Sequence, residues 1–287
     1  MKNKKLMFVI ASMVFAAVSC QSKEMPQQQE PITEKEPQKV LVLFYSQLGN
    51  TKAVAREIAA QLDADMEEIV MVEPYDTSFK ATIDRCLQDK EKGVLPEIKP
   101  VTADLSKYDL IFIGSPVWFG TFAPPVAAFL NQADLSGKKV VPFCTFGSGG
   151  LESSAKDLAE KLPKAEVLPG YGVRAARLEA MPKEVDQFLK ANGFLEGEYV
   201  KYPAFSEQHP VSAEETAIFD TAVNGYPMLS AKAKSVASRP IPEGTEYLFT
   251  AVNLPRKGAP KMPANGEIQV YVIVEKGASP VFTKVVR

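Results

Sequence analysis

The sequence has very little histidine, tryptophan and cysteine. Its 287 residues include one histidine, one tryptophan and three cysteines. A hydrolase that works through a serine and a histidine needs a histidine beside its nucleophile. The single histidine, His209, stands next to Pro210 in a stretch without regular periodicity. This composition argues against a hydrolase of that kind.

The chain also lacks an excess of charge of either sign. It has 33 Lys and Arg against 35 Asp and Glu, for a formal net charge of -2, and the two signs are interspersed. A basic surface that would attract nucleic acid is therefore not expected. The length and the hydrophobic content of 46% are sufficient for two modest domains with cores of their own.

No apolar run is long enough to suggest a permanent membrane span. Residues 1–5 are rich in Lys, and the apolar run Leu6–Val18 is too short to cross a bilayer comfortably. This pattern predicts a signal peptide over residues 1–20. The end of the run, Ala17-Val18-Ser19-Cys20, resembles a bacterial lipoprotein signal, with Ala17 where Leu is commonest.

That resemblance implies that Cys20 is lipidated and becomes the first residue of an exported, membrane-anchored lipoprotein of the periplasm or cell envelope. An ordinary cleaved signal with an incidental cysteine is the alternative. Residues 21–38 are rich in Gln, Glu, Lys and Pro and read as a disordered tether. The remaining thiols, Cys86 and Cys144, could form one disulfide at most, and two buried free cysteines are favoured.

From Lys39 onward, short apolar runs alternate with amphipathic stretches, as in an α/β fold with crossover helices. The runs are continuously apolar, which favours a parallel sheet with helices on both faces. The predicted strands are Val40–Tyr45, Met66–Met71, Leu110–Gly114, Val140–Cys144 and Val167–Gly170. The predicted helices are one through Val54, Ile58 and Leu62, one near Thr77–Asp89, and Pro125–Gln132, Leu151–Leu162 and Pro182–Ala191.

Three loops follow predicted strands, where an open α/β sheet places its ligand. Loop 1, Ser46–Thr51, combines a glycine, hydroxyl and amide side chains and a helix N-terminus, which together suit a phosphate. The alternative is a simple turn in which Asn50 or Thr51 caps the helix. Loop 2, Ser115–Thr121, is aromatic, and loop 3, Thr145–Gly150, is rich in glycine. Each could also be a core edge or an ordinary turn.

The segments YSQLGNT, YDLIFIGSPVWFGTFAPPVAAFL and DLSGKKVVPFCTFGSGG resemble flavodoxin in the same order. The resemblance covers Lys39 to about Gly193. It implies a five-stranded parallel sheet of order 2-1-3-4-5, non-covalently bound FMN, and electron transfer. The residues that it assigns to the FMN phosphate are Ser46, Leu48, Gly49, Asn50 and Thr51. Those it assigns to the isoalloxazine ring are Pro116, Val117, Trp118, Phe119, Gly120, Thr145, Phe146, Gly147, Ser148 and Gly149.

Loop 3 departs from the flavodoxin pattern because it lacks the tyrosine that stacks on the flavin in many flavodoxins. Only Phe146 could replace that ring. The chemistry would belong to the cofactor, so no catalytic side chain and no metal site are predicted. The resemblance leaves three functions open: an FMN electron carrier with a redox partner protein, an FMN-dependent NAD(P)H:quinone-type reductase acting on a small acceptor, and a flavin-free binding module.

The C-terminal part of the chain predicts a second, smaller domain. The predicted organisation is a flavodoxin-like domain over residues 39–195, a linker over 196–211 and an α+β domain over 212–287. Ser212 and Glu215 form a capping-box pattern before a helix that ends near Val223. Strands are predicted over Ala231–Ser238, Thr245–Asn253, Glu267–Glu275 and Val281–Val286. Gly244–Tyr247 resembles the first hairpin of cystatins, but the glutamine of their inhibitory loop is replaced near Pro240, which argues against protease inhibition.

Overall fold

The computed structural model describes residues 39–224, 226, 229–254 and 266–287. The predicted signal peptide, the tether and Cys20 lie outside the described residues. None of the helices in the described ranges is long and apolar enough to cross a membrane. Gln38–Arg287 is a single compact unit.

A parallel sheet forms the first half of the described chain, and its strand order is β2-β1-β3-β5-β6. Two further strands attach to it, with β4 beside β3 in a hairpin and β7 beside β5. The strands are β1 Val40–Phe44, β2 Asp65–Glu68, β3 Leu110–Trp118, β4 Thr121–Phe122, β5 Lys139–Phe146, β6 Glu166–Val167 and β7 Tyr171–Arg174. Apart from the β4 hairpin, and with β6 and β7 taken as one interrupted edge strand, this is the predicted order 2-1-3-4-5.

Five α-helices accompany these strands in the described part of the chain, and each of the five predicted helices is present. Their bounds are α1 Asn50–Leu62, α2 Phe79–Glu91, α3 Pro124–Leu130, α4 Leu151–Lys161 and α5 Met181–Ala191. Leu41 and Leu43 point into one apolar cluster, whereas Val42 and Phe44 point into another on the opposite face. This alternation explains why β1 is apolar at every position: helices cover both faces of the sheet.

The edge strand differs from the sequence prediction of a single strand over Val167–Gly170. It is broken between Val167 and Tyr171. A Cβ at Gly170 would lie 2.4 Å from the carbonyl oxygen of Pro142, so only a glycine permits this close approach of the two backbones.

An antiparallel sheet forms the C-terminal domain, with strand order β12-β11-β10-β9-β8, and it contains the four strands that the sequence predicts together with the short β8. Its elements are β8 His209–Pro210, α6 Ala213–Val223, β9 Ala231–Ile241, β10 Gly244–Asn253, β11 Glu267–Glu275 and β12 Val281–Val286. Phe219 of α6 packs on the core of this sheet, where Phe249 and Phe282 are also buried. The capping box of Ser212 and Glu215 is confirmed.

Candidate functional site

The three loops predicted to form the site emerge from neighbouring strands of the parallel sheet. The N–H of Tyr45, just after β1, donates to the carbonyl of Gly114 in β3 at 3.0 Å. Further along β3, Pro116 pairs with Thr145 of β5. Loops 1, 2 and 3 therefore begin side by side at the carboxyl edge of the sheet, where open α/β folds bind their ligands.

Loop 1 leads into the N-terminus of α1, and the N-cap residue of this helix has no side chain. The N-cap residue is Gly49, which has a left-handed φ of 89°, and the first turn has no acidic residue. The hydroxyl of Ser46 accepts the N–H of Lys52 at 3.2 Å. Asn50 and Thr51 are therefore not the caps of this helix. Among the described residues, Ser46 supplies the one side-chain acceptor for the first turn of α1, and a helix N-terminus with further N–H groups and no carboxylate suits a bound anion.

A buried pair of hydroxyls connects loop 1 to loop 3. The Oγ1 atoms of Thr51 and Thr145 lie 2.8 Å apart, and both side chains are buried. Either hydroxyl can be the donor, and each has a single hydrogen, so one hydrogen of the pair is left for another acceptor. The pair brings together two predicted site residues that are 94 positions apart. In contrast, the side chain of Leu48 is 64% exposed, which leaves only its backbone suited to a phosphate.

Most of loop 2 belongs to strand β3, and its tight turn, Phe119–Gly120, connects β3 to β4. Phe119 and Gly120 both have positive φ angles, of 52° and 87°. The positive φ is uncommon for a bulky residue, and the Phe119 side chain is 64% exposed. The buried Oγ1 of Thr121 has no hydrogen-bond partner among the described residues. A buried hydroxyl of this kind fits a site whose occupant completes its hydrogen bonding.

Trp118 lies at the edge of the core as well as in loop 2. Its ring makes edge-on contacts with Tyr75, at 5.2 Å between centroids, and with Tyr45, at 6.0 Å. It is half-buried and packs against one of the two apolar clusters of the parallel sheet. Burial raises the pKa of Tyr45 to about 12, so this phenol stays neutral beside the indole. The contact of Trp118 with a flavin stays a prediction.

Loop 3 corrects one assignment made from the sequence. Phe146, the residue considered as a substitute for the stacking tyrosine, is the last residue of β5 and is buried. A Cβ on Gly172 would lie 2.7 Å from its ring, so the ring packs inside the protein. It is not available to stack on a bound cofactor. In the described structure, the aromatic side chains that loop 2 supplies are those of Trp118 and Phe119.

Loops 2 and 3 also contact each other. A Cβ on Gly150, which has φ 116°, would lie 2.5 Å from the Val117 side chain. The hydroxyl of Ser153, in the first turn of α4, donates to the carbonyl of Gly120. Sequence reasoning did not include Ser153 in the site. Its position three residues beyond the glycine-rich run gives no signal of this contact.

The loops themselves have no acidic side chain, and the first acidic residue after loop 3 is neutralised. Glu152, in the first turn of α4, forms an ion pair with Lys284 of β12 at 2.7 Å. Arg174, at the end of β7, donates to the carbonyl of Gly147 at 2.8 Å. Arg174 and Lys284 were not predicted as residues of the site, because they are distant from loop 3 in the sequence and only the fold brings them to it.

The model of the flavodoxin family matches residues 39–186. This is just over half of the chain, and the chain belongs to that family. The match ends before the C-terminal domain, and the cystatin resemblance of that domain stays a prediction.

The relatives include two proteins named NAD(P)H dehydrogenase (quinone). The protein from Azorhizobium caulinodans is 33% identical over 102 residues, and the one from Cupriavidus metallidurans is 31% identical over 97 residues. Each alignment covers 33% of this chain and 46% of the relative. The chain therefore spans about half the length of these relatives.

Two solved structures are similar to the flavodoxin-like part. A flavoprotein from Bacteroides eggerthii has a TM-score of 0.48 and 25% identity, covering 54% of this chain and 98% of that one. A flavoprotein from Lactobacillus acidophilus in complex with FMN has a TM-score of 0.44 and 30% identity, covering 47% of this chain and 93% of that one. FMN, the cofactor implied by the flavodoxin resemblance, is supported by the family match.

Proposed function

We propose that this chain is an FMN-binding electron-transfer protein. The observation that carries the proposal is the N-terminus of α1, which has Gly49 as its cap, no acid in its first turn, and a side-chain acceptor, Ser46, for the N–H of Lys52 alone. It opens beside two other loops at the carboxyl edge of the sheet. This geometry offers backbone N–H donors and a positive dipole end to a phosphate.

The residues of loop 1, Ser46 and Leu48–Thr51, would hold the phosphate. Loops 2 and 3 would contact the ring, with Trp118 and Phe119 supplying aromatic surface and Thr121 a buried hydroxyl that has no partner among the described residues. FMN, when bound, supplies one- or two-electron transfer. The protein's part is to bind and orient the cofactor and to set the charge around it.

The direct test is an absorbance spectrum after reconstitution with FMN. A flavin spectrum that survives gel filtration is the expected result. A protein that stays colourless at saturating FMN would instead favour a module that has kept the fold without the flavin. Riboflavin, which lacks the phosphate, should bind more weakly than FMN.

A charge variant tests the phosphate assignment. Asn50 is the first residue of α1, and an Asp at this position interacts favourably with the helix dipole. Asn50→Asp should therefore not lower the free energy of unfolding of the apoprotein. It should weaken FMN about tenfold or more by repulsion of the phosphate, and leave riboflavin almost unchanged. Equal losses for both flavins would place the phosphate elsewhere.

A second candidate function is an FMN-dependent NAD(P)H:quinone-type reductase. The similarity to the two NAD(P)H dehydrogenases (quinone) favours it, although the alignments cover a third of this chain. Steady oxidation of NAD(P)H in the presence of a quinone by the FMN-loaded protein would support the reductase. Reduction by a protein donor without such turnover would support the carrier.

For localisation, we propose a lipoprotein anchored through Cys20, with the flavodoxin-like domain held off the membrane by residues 21–38. The lipoprotein-like signal and the polar segment after it support this proposal. The Cys20→Ser protein should lose the lipid and leave the membrane fraction. If the variant still carries a lipid and fractionates with membranes, the proposal is wrong.

A further inference from the structure

The C-terminal sheet contacts loop 3, one of the two loops assigned to the flavin ring. The backbone N–H of Val285 in β12 donates to the carbonyl of Ser148. A Cβ on Gly149 would lie 2.1 Å from the carbonyl oxygen of Val285, and one on Gly147 would lie 2.7 Å from the hydroxyl of Tyr226. The backbone of the C-terminal domain therefore requires a glycine at position 149, whereas a side chain at position 147 would have to displace the Tyr226 hydroxyl.

Arg174 also binds the backbone of loop 3, at the residue before Ser148. Its Nε donates to the carbonyl of Gly147 at 2.8 Å, and its Nη1 donates to the carbonyl of Phe282 in β12 at 2.7 Å. The guanidinium lies 3.5 Å from the centroid of the Phe282 ring, and the residue is 8% exposed. No ion pair in the described part of the chain includes Arg174, so its buried charge is matched by carbonyls and aromatic faces.

These contacts fix the direction of two peptide groups. The described residues have no cis peptide bond, and in a trans peptide the C=O and N–H point to opposite sides. Because the carbonyls of Gly147 and Ser148 are held by Arg174 and Val285, the N–H groups of Ser148 and Gly149 point away from these partners. Neither N–H has an acceptor within the described residues. Two adjacent donors oriented in this way suit the acceptor atoms of a polar ring.

We propose that the C-terminal sheet is a structural part of the cofactor site: through Arg174 and the N–H of Val285 it holds loop 3 in the conformation that binds the flavin ring. Arg174 is a positioning residue and does not itself contact the cofactor. This inference rests on the proposed FMN-binding function. It gives the C-terminal domain a role in flavin affinity that is independent of the phosphate.

Val285 allows a matched test of the hydrogen bond. β12 is an edge strand, and the N–H of Val285 points to loop 3 and not into the sheet, so a proline there removes the contact without removing a ladder hydrogen bond. Val285→Ala keeps the N–H and loses most of the buried side chain. The difference between Val285→Pro and Val285→Ala therefore isolates the N–H donor.

Dissociation constants for FMN and for riboflavin are measured for wild type and for each variant. Relative to Val285→Ala, Val285→Pro should weaken both flavins by the same factor, about tenfold, because loop 3 contacts the ring that they share. Arg174→Met should have a similar effect, with partial recovery in Arg174→Lys. In the apoprotein, amide hydrogen exchange within residues 147–150 should be faster in Val285→Pro than in Val285→Ala.

Three outcomes would contradict the inference. Equal flavin affinities and equal amide exchange in Val285→Pro and Val285→Ala would show that the C-terminal sheet does not determine the conformation of loop 3. A loss confined to FMN would mean that the contact acts on the phosphate. Wild-type protein that binds neither flavin would overturn the proposed function and this role of the sheet with it.

Discussion

At the scale of single residues, Trp118 offers the most direct view of the site. It is the only tryptophan in the sequence, so protein fluorescence reports on one position. If its ring lies against the flavin, both FMN and riboflavin should quench its emission. Trp118→Ala should weaken FMN several-fold, since aromatic packing contributes roughly 0.5–1.5 kcal/mol beyond buried area. Tight FMN binding with unchanged emission would place Trp118 away from the flavin.

The contacts of Trp118 with Tyr45 and Tyr75 add a second expectation. Because the indole also covers the edge of the core, Trp118→Ala should lower the free energy of unfolding of the apoprotein by about 2 kcal/mol. Trp118→Phe retains an aromatic ring and should recover part of both losses. Urea unfolding of the apoprotein, followed by circular dichroism, separates this loss of stability from the loss of affinity.

The two described cysteines are expected to be unreactive in the native protein. Both are free and buried, which confirms the sequence interpretation. Burial raises the pKa of the Cys144 thiol to about 12 and also raises that of Cys86. Since the thiolate is the nucleophile, alkylation at pH 8 should be slow for both. In a Cys20→Ser background, both should be modified rapidly in urea, and rapid modification without urea would contradict this account.

At the scale of elements, α6 depends on its capping box. The Ser212 hydroxyl accepts the N–H of Glu215, and the Glu215 carboxylate accepts the N–H of Ser212 at 2.8 Å. Ser212→Ala should lower the free energy of unfolding by about 1 kcal/mol. Ser212→Gly places another residue that is favoured at the N-cap, and it should lower the free energy of unfolding by only about a few tenths of a kcal/mol. A loss below the error of the measurement for Ser212→Ala would show that the cap contributes nothing.

The same cap gives a pH dependence. The hydrogen bond from the backbone N–H of Ser212 is the main cause that lowers the pKa of Glu215 in the folded protein. The carboxylate therefore stabilises the fold above the unfolded-state pKa of about 4.3, and this stabilisation is lost as pH falls through the lower folded pKa. The stability advantage of wild type over Glu215→Gln should shrink between pH 6 and pH 3. An advantage that does not change with pH would be inconsistent with this assignment.

Most elements could be predicted because their signals are local. Continuous apolar runs located β1, β3 and β5, and four-residue spacing located α1. The ends were harder to place: β3 continues to Trp118 and β5 to Phe146, beyond the predicted limits at Gly114 and Cys144. These extensions depend on pairing between the two strands, such as that of Pro116 with Thr145. The local sequence does not indicate which residues of the two strands pair.

At the scale of the whole molecule, the unpredicted features join residues far apart in sequence. The contacts Thr51–Thr145 and Arg174–Phe282 span 94 and 108 positions. The composition of loop 3 indicated a flexible glycine-rich turn, but the structure explains Gly149 by the approach of the Val285 backbone in the C-terminal domain. A sequence can indicate that glycine permits close contact without indicating which part of the chain makes it.

The distribution of charge around the loops leads to an expectation for the redox potential. Negative charge near a flavin disfavours its reduced, anionic form, and loops 2 and 3 have no acidic residue. Glu152 is paired with Lys284, and the guanidinium of Arg174 lies behind loop 3. We therefore expect a second reduction step that is less negative than in flavodoxins with acidic loops. A potentiometric titration that gives an equally low value would contradict this.

Phe119 provides a matched test of this charge effect within the protein itself. Its side chain is exposed and its φ is 52°, a conformation that Asp and Asn tolerate better than other residues with side chains. Phe119→Asp and Phe119→Asn differ only in charge. A unit charge about 10 Å away at an effective dielectric constant of about 20 contributes roughly 1.7 kcal/mol. The second potential should therefore be several tens of millivolts more negative in the Asp variant. Added salt should reduce that difference, because the site is exposed to solvent. Equal potentials in the two variants would place loop 2 too far from the flavin to influence it.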